Sequence, residues 1–209
     1  LDRLRSSPRR HEAVADQRPV RAAFVVRDNL RQRSGIEHGY IEAIARARHS
    51  VDLVSAYFYP DRSIRHALRD AVRRGVRVRL LLQGRWDYRV AEIAAYALSD
   101  ELLSHGVQIF EYTAAFLHAK VAVVDDEWAT VGSSNIDPLS LLLNLEANVF
   151  VHDRAFAVRL REEIETALAS AAPVTPQSAG RGARRLLRRG FVAWCARAYL
   201  RLAGATGRY

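Results

Sequence analysis

Between Val20 and Tyr112 the chain repeats one pattern: a short apolar run, then a longer stretch whose apolar residues recur every three or four positions, then a turn. Runs this short are strand length, and the wider spacing buries one face of a helix. The repeat therefore predicts an α/β fold, with helices lying on the faces of a β-sheet. Val20 to Val26 reads as a strand and Ile36 to Arg48 as an amphipathic helix; Val51 to Tyr57 and Ile64 to Arg74 repeat the pair, and Gly75 stops the second helix. Val76 to Gln83 is a buried strand rich in valine and leucine, Tyr88 to Ser104 a helix ended by Gly106, and Val107 to Tyr112 a fourth strand.

The second part changes character. Ala119 to Val124 and Trp128 to Val131 flank the polar turn Asp125-Asp126-Glu127, which predicts a β-hairpin. After the loop Gly132 to Pro138, Glu146 to Val151 reads as another strand, and Asp153 caps a helix running to about Ala169. Pro173 and Pro176, in an Ala/Ser/Gly-rich stretch, mark a linker. Residues 1–19, polar and arginine-rich, read as a linker from a preceding segment, 20–170 as one catalytic unit, 171–183 as the second linker and 184–209 as a basic tail. At 209 residues and 49% apolar content the chain can bury a real core. Cys195 has no partner for an internal disulfide, which suits a reducing compartment. No leader-like start and no apolar run of spanning length is visible, and a chain that begins at Leu1 without any methionine reads as part of a longer protein.

The net charge of +9 points at first to nucleic acid, but its distribution argues otherwise. Residues 181–209 hold eight arginines and no acid, so residues 1–180 carry 24 basic against 23 acidic groups, or +1. Within the tail, Leu187, Phe191, Trp194, Ala198 and Leu202 share a helical face ringed by arginines. Such a helix lies well in the interface of an anionic bilayer, or docks on a missing half of the protein.

Of the 32 basic residues 31 are arginine, and the only lysine is Lys120. It stands in Leu117-His118-Ala119-Lys120-Val121-Ala122-Val123-Val124-Asp125, followed by Gly132-Ser133-Ser134-Asn135 and by Glu146. Alternation along a strand puts His118 and Lys120 on one face and Val121 and Val123 on the other. Ser133 and Asn135, two apart, can reach the same place. Asp125 has the opposite parity and lies at the turn, where organising the hairpin is a better reading than touching substrate. Imidazole, ammonium, hydroxyl and carboxamide together suit a tetrahedral phosphate: a nucleophile with donors for its oxygens. Glu146 can orient the imidazole, and neither metal nor organic cofactor is required. The other histidines lack such company.

His118-x-Lys120-x4-Asp125 with Gly132-Ser133-x-Asn135 and Glu146 resembles the HKD motif of the phospholipase D superfamily. The longer run through Arg27-Asp28-Asn29, Ala56-Tyr57-Phe58-Tyr59-Pro60, Gly75-Val76-Arg77-Val78 and Trp128-Ala129-Thr130-Val131 to His152-Asp153 is similar to the carboxy-terminal half of B-type bacterial cardiolipin synthases. The resemblance implies a mixed sheet flanked by helices, with His118, Lys120, Asp125, Ser133, Asn135 and Glu146 as site residues. It implies phosphatidyl transfer, with phosphatidylglycerol and an anionic membrane surface as partners, peripherally at the cytoplasmic side of a bacterial membrane. In that family one histidine becomes a phosphohistidine and another, from a second motif, protonates the leaving alcohol.

This chain carries one motif, and in-line displacement needs groups on both faces of the phosphorus. A second half is therefore expected, from a preceding domain in preference to a second copy. Whether His118 is nucleophile or acid stays open. Two alternatives remain: a phosphodiesterase or nuclease working as a homodimer, which predicts a basic groove, and a non-catalytic module that anchors a partner to membrane.

Overall fold

The computed structural model describes residues 19–28, 34–84, 99–137 and 145–175. Its strands are β1 (Arg21–Arg27), β2 (Ser50–Ser55), β3 (Arg77–Gln83), β4 (Gln108–Tyr112), β5 (Lys120–Val124), β6 (Trp128–Gly132), β7 (Glu146–His152) and β8 (Ala172–Pro173). They form one sheet in the order β1-β7-β6-β5-β2-β3-β4-β8. Helices α1 (Gly35–Arg46), α2 (Arg62–Arg73) and α3 (Arg154–Ala169) lie on its faces, and residues 99–104 are also helical. β2, β3 and β4 pair in parallel, which the helical connections between them allow; every other neighbouring pair is antiparallel.

Alternation along the strands divides the core in two. Val51 and Leu53 of β2, Val78 and Leu80 of β3 and Ala122 and Val124 of β5 pack with Ile36, Tyr40, Ile44, Ile64 and Leu68 of α1 and α2. Val54, Leu81 and Val123 point the other way, onto Ala157, Ile164 and Leu168 of α3. Charge reinforces that second layer. Asp52, 1% exposed, accepts from Arg79 Nε at 2.6 Å and Nη2 at 2.8 Å, and Arg79 also bonds Glu165 of α3 at 2.5 and 3.0 Å. Asp61 and Asp153 cap α2 and α3, accepting from Ile64 N at 2.9 Å and Phe156 N at 2.8 Å. Gly75 and Gly106 take φ of 86° and 91°, the left-handed conformation that ends a helix.

Element boundaries fall within about two residues of those the periodicity predicts. β8 is the exception. Its stretch reads as linker from its prolines, yet it pairs with β4 at the sheet edge, where a proline is tolerated, and Val174 N donates to Ile109 O at 2.8 Å. Most of the helix expected over Tyr88 to Ser104, nearly all of the first linker and the whole basic tail lie outside the described residues.

α3 covers only part of its side of the sheet. Phe24, Val149 and Val131 stand abreast across β1, β7 and β6, and are 70%, 36% and 40% exposed. Val26 and Phe156 are exposed as well. Among the described residues no helix is long and apolar enough to cross a membrane.

Candidate active site

β2, β3 and β4 end at Ser55, Gln83 and Tyr112; at that same end β1 and β6 finish with Arg27 and Gly132, and β5 and β7 begin with Lys120 and Glu146. Carboxyl ends of parallel strands are where α/β sheets take ligands. The register places Ser55 opposite Lys120, Gly132 opposite Asn148 and Arg27 opposite Glu146.

Lys120 is 6% exposed and its Nζ donates to His118 O at 2.7 Å. Burial pushes its pKa below the ordinary lysine value, and the negative charges of Glu146 and Asp137 push part of the way back. An ammonium has three donors, so two are left for an incoming anion. His118 lies just before β5 rather than on it. Its backbone is held on both sides, since Leu117 N donates to Gln83 Oε1 at 3.2 Å and Lys120 binds the His118 carbonyl. The imidazole is exposed and stacks on Phe116, with centroids 6.4 Å apart and planes at 26°.

The loop after β6 is stitched down from two directions. Ser133 Oγ donates to Glu146 Oε2 and accepts from Ala147 N at 3.1 Å, while Ser133 N donates to Ala147 O at 2.9 Å. On the other side Asn135 Oδ1 accepts from Tyr57 N at 3.3 Å, and Ile136 O accepts from Tyr59 N at 2.7 Å. The Asn135 carboxamide is thus held through its oxygen, and its nitrogen is the end that can donate. Beneath the loop runs a buried polar network. Asn148, 1% exposed, donates from Nδ2 to Thr130 Oγ1 at 3.0 Å and accepts from Ser134 N at 3.4 Å. Tyr40 of α1 bonds both Asn148 and Thr130, and burial, outweighing those bonds, pushes its phenol well above the usual range. Gly132 is required here: a Cβ on it would lie 2.2 Å from Asn148 Oδ1.

Asp125 stands apart from these residues, at the far end of β5, roughly 16 Å from Lys120 at strand rise. Its carboxylate accepts from Arg48 N at 2.7 Å and from His49 N and Ser50 N at 2.8 Å each. Burial pushes its pKa up, but the three backbone donors outweigh that and hold it below the ordinary value. Asp125 and Asp126 both take positive φ, 53° and 56°, as a tight hairpin turn demands. The structure thus places it as the hairpin's anchor.

Of the six candidates, Lys120, Ser133, Asn135 and Glu146 gather with the His118 backbone at one end of the sheet. Gln83 and Asp137 belong with them and carry no signal in the sequence, because each acts across the sheet or loop and not along a motif. No group of three or more His, Cys, Asp or Glu among the described residues is placed to hold a metal ion.

Residues 40–168 match the family model for the cardiolipin synthase, phospholipase D-like (PLD-like) domain. The chain is 46% identical over 164 residues to cardiolipin synthase B of Escherichia coli K12, covering 78% of this chain and 40% of that protein. It is 39% identical over 142 residues to cardiolipin synthase A of Pseudomonas putida, covering 68% and 30%. The chain therefore spans less than half the length of these relatives. Among solved structures, the phospholipase D family member Nuc of Salmonella typhimurium superposes with a TM-score of 0.63 at 21% identity, over 75% of this chain and 99% of that one. Phosphatidylserine synthase of Haemophilus influenzae superposes with a TM-score of 0.65 at 12% identity, over 87% and 46%. Those two likenesses establish the fold, while the family match and the sequence identity go further: this chain belongs to the PLD-like domains of the cardiolipin synthase family.

Proposed function

We propose that this chain supplies one half-site of a phosphatidyltransferase that makes cardiolipin from phosphatidylglycerol and a second phospholipid. The observation that carries the reading is Lys120, a nearly buried ammonium bound to the backbone carbonyl of His118 and within the electrostatic reach of Glu146 and Asp137. Lys120 and the Asn135 N–H donors hold the non-bridging phosphate oxygens, and the Ser133–Glu146 pair fixes the loop beside them. A histidine nitrogen bonds to phosphorus as the P–O bond to the leaving alcohol breaks, and that oxygen takes a proton from the second histidine. A hydroxyl of phosphatidylglycerol then attacks phosphorus as the N–P bond to the first histidine breaks, and its proton passes to the second histidine, which the first step left neutral. One diester replaces another, so no nucleotide is consumed. Asp125 serves the hairpin.

The second histidine comes from another half-domain of the same polypeptide. The relatives extend well beyond the region matched here, and the uncovered face of Phe24, Val149 and Val131 offers an apolar surface of the kind that packs against a partner domain. The assembled enzyme acts at the membrane as a peripheral protein. Incubating the full polypeptide with phosphatidylglycerol vesicles and, separately, with single-stranded DNA tests this. Cardiolipin and free alcohol are the expected products. Strand cleavage without lipid products, or vesicle adsorption without turnover, would overturn it.

A further inference from the structure

One apolar feature of the molecule belongs neither to the core nor to the uncovered face beside α3. Phe116 is 56% exposed although its ring lies almost parallel to the His118 imidazole, 6.4 Å away. Tyr57, whose backbone N–H is held by Asn135, is 41% exposed. The segments that carry them, 113–117 and 56–60, contain no charged residue, in a chain with 31 arginines. A site built for nucleic-acid phosphates would place arginine at such a rim. Exposed aromatic rings on uncharged segments suit a membrane interface, where one side of the ring meets hydrocarbon and the other water.

We propose that Tyr57, just after Ser55, and Phe116, just before Lys120, at the sheet end where those two residues pair, form an aromatic lip that inserts into the interface of a bilayer, so that a phospholipid's phosphate reaches His118 and Lys120 while its chains stay in the membrane. This rests on the phosphatidyl-transfer reading above and adds the surface that selects a bilayer lipid. In a phospholipid the phosphate and the start of the acyl chains are separated by one glycerol, a spacing comparable to that between the two stacked rings. An ion held by Lys120 alone would need no such lip. The row at Phe24 is a separate surface, since it lies on the sheet face of β1, β7 and β6, whereas Tyr57 and Phe116 lie beyond the ends of β2 and β5.

The test compares two substrates for the full polypeptide: phosphatidylglycerol in bilayer vesicles, and dihexanoyl-phosphatidylglycerol below its micelle concentration. For Phe116→Ser the apparent KM on vesicles should rise about tenfold at nearly unchanged kcat, the scale expected for losing one buried aromatic side chain. On the monomeric lipid kcat/KM should change less than threefold. Phe116→Trp should restore vesicle activity. Equal losses on both substrates would mean that Phe116 acts through the His118 ring, and no loss on vesicles would mean that it acts on nothing there; either overturns the lip. Vesicle co-sedimentation in a His118→Ala background gives a readout independent of catalysis. Adding Phe116→Ser should weaken partitioning several-fold, and unchanged partitioning would overturn the lip even if transfer is confirmed. If the unmodified protein turns over neither lipid, the phosphatidyl-transfer reading falls, and co-sedimentation still decides the lip.

Discussion

Lys120 shows why this chain, which uses arginine everywhere else, keeps one ammonium. Its Nζ turns back onto the carbonyl two residues before it, in a site with almost no solvent exposure. A planar guanidinium is too wide for that turn and points its donors in a fixed fork. Lys120→Arg should therefore lower kcat at least 100-fold despite conserving charge; steady-state kinetics checks it. The lowered pKa has its own consequence. Burial makes the ammonium lose its proton at a lower pH than free lysine, near 10.4, so the alkaline limb of the rate profile should fall below that value. Asp137 opposes the shift. Asp137→Asn should move the limb to still lower pH, and an unmoved limb would show that Lys120 does not set it. Gly132→Ala drives a Cβ into the buried Asn148 amide, and should cost about 1–3 kcal/mol in urea unfolding together with a loss of kcat as the Ser133–Asn135 loop shifts.

At the scale of elements, the β5–β6 hairpin is held by Asp125 at one end and carries Lys120 at the other. Asp125→Ala should destabilise the fold by about 2 kcal/mol, since three backbone N–H groups lose a charged acceptor at a partly exposed turn. The sign with pH follows. A carboxylate whose folded pKa is depressed contributes stability above the unfolded value, and that contribution disappears as pH falls through the folded value. The variant should differ from wild type in urea midpoint at pH 7 and converge with it in acid, while its activity loss tracks the unfolded fraction. Arg79→Met strands the Asp52 carboxylate in the core beneath α3 and should cost about 3 kcal/mol or more by the same measurement. Periodicity made most of these elements legible, because each strand and helix buries a face that its own residues define. For Asp125, parity and its place at the turn favoured a hairpin role, while the motif resemblance kept it among the site candidates. What periodicity did not show are partnerships between strands and the loops at their ends: Gln83 with Leu117, Asn148 with Ser134, Lys120 with Asp137. β8 was hidden as well, since a two-residue edge strand containing proline has no periodicity to read.

For the whole molecule, an apolar row across three strands at one edge of the sheet is costly to leave in water, and a half-site with one histidine is chemically incomplete. The proposed second half-domain answers both. Phe24→Asp should weaken that docking, seen as increased protease sensitivity of the full polypeptide and a fall in transfer activity, with Lys120 and its bonds untouched. The central claim is that phosphorus chemistry occurs at His118. Its most direct measurement is the rate of cardiolipin formation from phosphatidylglycerol vesicles by His118→Ala in the full polypeptide, at matched folded concentration. A fall of at least 1000-fold is predicted, in line with removal of a nucleophile or general acid; a rate within tenfold of wild type would contradict it.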